Sequence, residues 1–385
     1  MLKRACLAAV LFVCASAILP LSAPRAASDL LVYIGTYTDT TSKGIYVAHF
    51  NTATGALSKP QLAVAASNPS FLAVTPDARF LYAVNEINSY GGQASGSVSA
   101  FAVFKNTGLL MPLNKQQTLG ADPAHLSVDR DGHTVLVANY TGGSIATFPI
   151  GADGALGPMV SFVQHSGKSV NPDRQTGPHA HQILVDPGNH FAYVADLGLD
   201  KVMIYRFDAA AHTVTPAAPP SAPVKAGAGP RHLAFDASGA HAYVINELAC
   251  TITAFTRNPS NGSLTEFQTI SSLPPGDAVQ PGYSTAEILL APSGKFLYGS
   301  NRGHDSISVY AIESPSGRLS FVTNTKLPGK TPRGFGITPD GSHMLVAHQN
   351  SDSVVVFKID PSTGKLTATS ATIAVGKPVD IKFVE

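Results

Sequence analysis

Six segments of this chain are variants of one phrase, and no other feature restricts its fold so tightly. They open at Pro69, Pro123, Ala180, Pro230, Thr285 and Pro332, and read, for example, PSFLAVTPDARFLYAVNE, PRHLAFDASGAHAYVINE and TAEILLAPSGKFLYGSNR. Successive openings lie 47 to 57 residues apart, a blade-sized period. Each copy is an apolar strand, a turn built on Pro, Asp, Ser or Gly, and a second strand usually containing Tyr or Val. A short loop then leads to a third strand such as SVSAFAV, TITAFTR or SVVVFKI, and a weaker fourth strand follows most copies. Four antiparallel strands per repeat describe a propeller blade.

A seventh copy is divided between the chain ends. LVYIGTYTDTTSKGIYVAHF, from Leu31, begins at the second strand, and KPVDIKFV near the C-terminus is a lone first strand. Pairing the two closes the ring and removes its exposed edges, which an open solenoid would not require. The expected fold is therefore all-β, a seven-bladed β-propeller closed by pairing of N- and C-terminal strands in one blade. Composition agrees: with only 13% charged residues against 34 Gly and 28 Pro, many short strands and turns fit better than long solvated helices.

The N-terminus reads as an export signal at residues 1–27, with the propeller domain at 28–385. Lys3 and Arg4 precede an apolar stretch at 5–21, and small residues follow through Ala26, Ala27 and Ser28. This predicts an exported protein, periplasmic or secreted, with no membrane contact after cleavage. An uncleaved anchor and lipidation at Cys14 are the alternatives. Cys6 and Cys14 fall within the signal, leaving Cys250 without an intramolecular partner, so the ring must close non-covalently. The net charge of +1 provides no field for a polyanion, which argues against nucleic acid as a partner.

The residue ending the second strand lies sixteen positions after the opening residue in every complete copy. Because the two strands are antiparallel, those positions meet at one end of the ring. The columns beside them hold His181, Arg231 and His232, Glu287, and Arg333 at the start of the first strands. Asn246 and Glu247, Arg302, and His348 occupy the ends of the second, in the same columns as Tyr37, Glu86 and Tyr140. Asn and Asp at a strand end often bond the following turn, and histidine can serve as channel filling. A buried guanidinium is costly when unpaired and its planar fork suits carboxylate or phosphate oxygens, so Arg231, Arg302 and Arg333 point to an anionic or carbonyl-bearing small molecule. GPHAHQ adds His179 two residues before His181, without the Cys, Asp or Glu cluster that a metal site wants, so neither metal nor cofactor is expected. There is no G-x-S-x-G elbow, phosphate loop, H-E-x-x-H or dinucleotide fingerprint; acid, base and electrostatic catalysis by Arg, His and Glu remains.

YIGTYT from Tyr33, GPHAH from Gly177, ADLGLDKV from Ala195, GPRHLAF from Gly229, YVINEL from Tyr243 and SNRGHDSI from Ser300 together resemble the lactonase family of seven-bladed propellers. That family includes the propeller-type 6-phosphogluconolactonases and the fungal carboxymuconate-lactonizing enzymes. The resemblance spans nearly all of the chain after the signal. It implies a metal-independent lactone hydrolase acting on a sugar-derived lactone or sugar acid, with His181, Arg231, Glu247 and Arg302 as catalytic residues; the aligned columns and GPHAHQ add His179, His232, Asn246, Glu287, Arg333 and His348 as expected substrate-binding residues. Within this reading Glu247 or His181 activates water. An exported location makes an unphosphorylated sugar or aldonate lactone a credible substrate beside the 6-phosphate. A carboxymuconate cyclase-type lyase and a non-catalytic exported ligand-binding propeller are the alternatives.

Overall fold

A computed structural model describes residues 29–385, and the expected signal at 1–27 lies outside them. Seven antiparallel sheets follow one another around a ring. Blades 1 to 6 open with first strands Leu72–Val74, Pro123–Val128, Ala180–Val185, Pro230–Phe235, Ser284–Leu290 and Pro332–Ile337, and each builds outward through three more strands. Blade 7 is the composite one: Pro378–Val384 is its innermost strand and pairs antiparallel with Asp29–Thr36, from Leu31 opposite Val384 to Thr36 opposite Pro378. No described helix is long and apolar enough to cross a membrane, and Cys250 is buried and unbridged.

Between blades the cores are apolar and nearly solvent-free, as where Tyr243, Ile245 and Ile252 meet Ile288 and Leu297. The recurrent second-strand tyrosine adds a directed link. Tyr33, Tyr82, Tyr193, Tyr243 and Tyr298 are buried and donate their hydroxyls to the carbonyls of Gly108, Gly154, Gly262, Gly317 and Gly364 in the next blade, at 2.7 to 3.0 Å. A tyrosine thus fills the gap and satisfies a hairpin carbonyl with its polar tip. Those glycines have φ near +70° to +80°, a conformation the tight hairpins require and other residues resist.

The sixteen-residue spacing proves to be a true register. Pro123 faces Asn139, Ala180 faces Asp196, Pro230 faces Asn246, Thr285 faces Asn301 and Pro332 faces His348. Immediately after each of these pairs the register slips. The bulged residues are Ala124, His181, Arg231, Ala286 with Glu287, and Arg333, and Val379 in the closing strand. A β-bulge places two residues against one and re-aims a side chain. Regular alternation would send neighbours such as Arg231 and His232 to opposite faces; with the bulge, both line the central channel.

Candidate active site

At the bulged end of the channel one carboxylate gathers three guanidinium groups. Glu247 begins the loop after the second strand of blade 4, where its backbone N–H bonds Gly229 at 2.7 Å. Its Oε2 accepts from Arg231 Nε at 3.1 Å and pairs with Arg302 Nη2 at 2.9 Å, while Oε1 accepts from Arg174 Nη2 at 2.6 Å. Glu247 and Arg231 are almost completely buried. Burial alone would raise the Glu247 carboxyl, but Arg302, Arg231 and Arg174 outweigh it and hold it down to about 2. Burial, followed by the like charges of Arg302 and Arg333, lowers Arg231 to about 9, which leaves it protonated at neutral pH.

Backbone carbonyls fix the arginines from the other side. Arg231 Nη1 donates to Ala286 O and Arg302 Nη2 to Thr285 O, each at 2.7 Å. Below Arg231, His232 Nε2 lies 3.4 Å from Arg231 Nη1, and His232 Nδ1 is 2.9 Å from Glu287 Oε1. Glu287 Oε1 also accepts from the N–H of Ile288, and burial raises its carboxyl. Glu287 therefore serves His232 from the channel side while still bordering the same narrow cavity.

His181 comes into this group through its bulge. Its ring meets His232 and Tyr140 edge-on at 5.1 and 5.3 Å between centroids, and its buried Nδ1 has no hydrogen-bond partner. Burial, reinforced by Arg231 and His232, pushes its pKa well below 6.5, so the ring is neutral at pH 7 with a nitrogen lone pair at its disposal. His179 stacks on Tyr140 at 4.6 Å, 18° from parallel. Arg333 lies across the opening, where its Nη2 donates to Tyr37 Oη at 2.8 Å; Tyr37 in turn donates to Glu86, and Ser70 Oγ donates to the same carboxylate.

Two expected residues are placed elsewhere. Asn246 turns onto its own blade and donates to Thr251 and Thr253 hydroxyls at 3.0 and 2.9 Å, just as Asn85 ties to Ser97 and Ser99. This is the strand-end role that Asn favours, and it points away from the pocket. His348, fully buried in the corresponding position of blade 6, contacts neither the arginines nor His181. Conversely, Arg174, Tyr140, Tyr37, Glu86 and Ser70 join the site unassigned by the sequence reading. Tyr37, Glu86 and Tyr140 stood in the aligned columns. Arg174 stood outside the repeat, and its only trace was that the longest interval, from Pro123 to Ala180, contains an insertion.

A family model described as Lactonase, 7-bladed beta-propeller matches residues 31–383. The 6-phosphogluconolactonase of Bacillus subtilis is 36% identical over 309 residues, covering 79% of this chain and 83% of the relative. A 6-phosphogluconolactonase of Formosa agariphila is 32% identical, covering 80% and 86%. Among solved structures, the periplasmic gluconolactonase PpgL of Pseudomonas aeruginosa aligns at a TM-score of 0.86 with 35% identity, over 93% of this chain and 99% of the other.

Proposed function

The chain belongs to the lactonase family of seven-bladed β-propellers, and we propose that it hydrolyses a sugar-derived lactone at the arginine-lined end of its channel. The observation that carries this reading is the pairing of buried Arg231 and largely buried Arg302 on Glu247, with a neutral, partner-free nitrogen of His181 beside them. Two named relatives are 6-phosphogluconolactonases and a structural neighbour is a periplasmic gluconolactonase, which supports the substrate class and accords with an exported protein.

In this mechanism Arg231 and Arg302 face the lactone carbonyl and stabilise the oxyanion formed when water adds to it. His181 takes the proton of that water and returns it to the ring oxygen as the acyl–oxygen bond breaks, giving a hydroxy acid that ionises. Glu247 is a poor candidate for that proton: guanidinium groups occupy both of its oxygens and hold its pKa at about 2, whereas His181 Nδ1 has no partner. Its part is to hold the arginines against their mutual repulsion. His232 and Glu287 orient Arg231, and Arg333 with Tyr37 borders the remaining part of the substrate.

The test is hydrolysis of glucono-1,5-lactone and its 6-phosphate by the purified chain and its variants. Arg231→Ala should lower kcat/KM about 100-fold or more, the effect of losing one oxyanion donor. His181→Gln should lower kcat by about 100-fold, as expected of a lost general base. Wild-type turnover in both variants would refute the assignment.

A further inference from the structure

Arg174 is the pocket cation that the repeat does not supply. It arrives on the segment 165–179 between blades 2 and 3, and that segment is built to hold it. Asp196 fastens both ends, through His165 Nδ1 at 2.6 Å and the His179 N–H at 2.8 Å. Next to Arg174, the fully buried Gln175 donates to Leu197 O and accepts from the Asn171 N–H, while Ser169 Oγ donates to Asp200. The backbone beneath Arg174 is thus anchored within the protein.

The side chain is differently situated. It is 41% exposed, against 3% for Arg231 and 14% for Arg302. It is also the third guanidinium on a carboxylate whose other oxygen already holds two. Among the described residues, four arginines, Arg174, Arg231, Arg302 and Arg333, meet three carboxylates at this opening, Glu247, Glu86 and Glu287, the last with its carboxyl raised by burial, while His181 and His232 are held neutral. A positive surplus at a partly desolvated opening attracts anionic ligands. The Arg174 guanidinium is held only by Glu247 and by Tyr140 Oη at 3.0 Å, while the segment beneath it is fixed by its own backbone and neighbouring residues, so the exposed side chain can turn from Glu247 to an incoming anion.

We propose that Arg174 is a specificity-determining residue, exchanging Glu247 for an anionic group of the substrate, so that the segment 165–179 selects lactones carrying a negative charge remote from the ring carbonyl. This rests on the hydrolase reading above. The shared chemistry is a phosphate or carboxylate oxygen facing a guanidinium fork.

The experiment compares kcat/KM for 6-phosphoglucono-1,5-lactone, a glucarolactone and neutral glucono-1,5-lactone in the wild type, Arg174→Gln and Arg174→Lys. The charged-to-neutral preference should shrink at least about tenfold in Arg174→Gln, the loss expected of one charge-assisted hydrogen bond, mainly through KM. Arg174→Lys should recover part of it. Shrinkage for the phosphate or for the carboxylate alone supports the proposal and identifies the anion. An unchanged preference, with all lactones losing equally, assigns Arg174 a structural role and overturns it. If the wild type turns over no lactone, the hydrolase reading fails separately. Calorimetry of 6-phosphogluconate against gluconate then tests Arg174: selective loss of the phosphorylated ligand in Arg174→Gln supports the exchange, and equal affinities or absent binding overturn it.

Discussion

His232 shows how much of this site depends on the placement of single protons. Arg231 presents an N–H donor to its Nε2, so that nitrogen must accept, and the ring proton belongs on Nδ1, facing Glu287. Nitrogen-15 NMR of histidine-labelled protein should find His232 in the Nδ1–H form at pH 7, and an Nε2–H tautomer would remove Glu287 from its orienting role. Acid should act at the same scale. Burial lowers the pKa of His125, His181 and His232 well below 6.5 and that of His348 to about 4. Above about pH 7.5 these rings are neutral both folded and unfolded and contribute nothing to pH dependence. Below it the unfolded chain binds protons that the native interior refuses, so stability falls as pH falls, by up to ~3 kcal/mol near pH 4 for His348 alone. Urea denaturation between pH 7 and 4 should show this decline. His348→Phe should weaken the dependence, and an identical pH profile would contradict its neutral burial. The catalytic pH profile should likewise stay flat from pH 8 to 6.5 and drop only at lower pH, where His181 becomes protonated.

At the scale of strands and turns, the columns were legible because register is periodic: the sixteen-residue interval became the observed pairing in each of the blades from 2 to 6. The bulge was not legible, since strand alternation predicts opposite faces for Arg231 and His232 and nothing in the letters marks the slipped residue. Asn246 and His348 shared the right columns yet face away, because the residue closing each pair lies on the far side of the slip from the bulged one. Side-chain direction, unlike position, depends on backbone detail that composition does not encode. The inter-blade tyrosines offer the cleanest measurement at this scale. Tyr243→Phe keeps the ring in place but leaves the Gly317 carbonyl without its donor. It should cost about 1–2 kcal/mol in urea denaturation with native activity retained, and an unchanged midpoint would remove the hydroxyl from the account of how blades adhere.

Across the whole ring, closure rests on one composite blade. The split seventh repeat made that visible in the sequence, and Pro378–Val384 indeed pairs with Asp29–Thr36 while Asp380 Oδ2 accepts the Leu72 N–H at 2.8 Å in the neighbouring blade. A chain ending at Lys377 should lose its cooperative calorimetric transition, because blade 7 would lack its inner strand and the ring would carry two open edges; an unaltered transition would contradict the clasp. The ring also leaves two mouths of opposite character. One holds the arginines; the other is a cavity of about 790 Å³ bordered by apolar side chains such as Val128, Phe235, Ile337 and Phe383. Repeat logic alone could say only that polar columns share an end, and Arg174, carried by an insertion, escaped it. The decisive measurement is a crystal structure with bound gluconate. The carboxylate should lie within hydrogen-bond reach of Arg231 and Arg302 with His181 alongside, whereas gluconate seated only at the apolar mouth, with the arginine pocket vacant, would contradict the assignment of the active site.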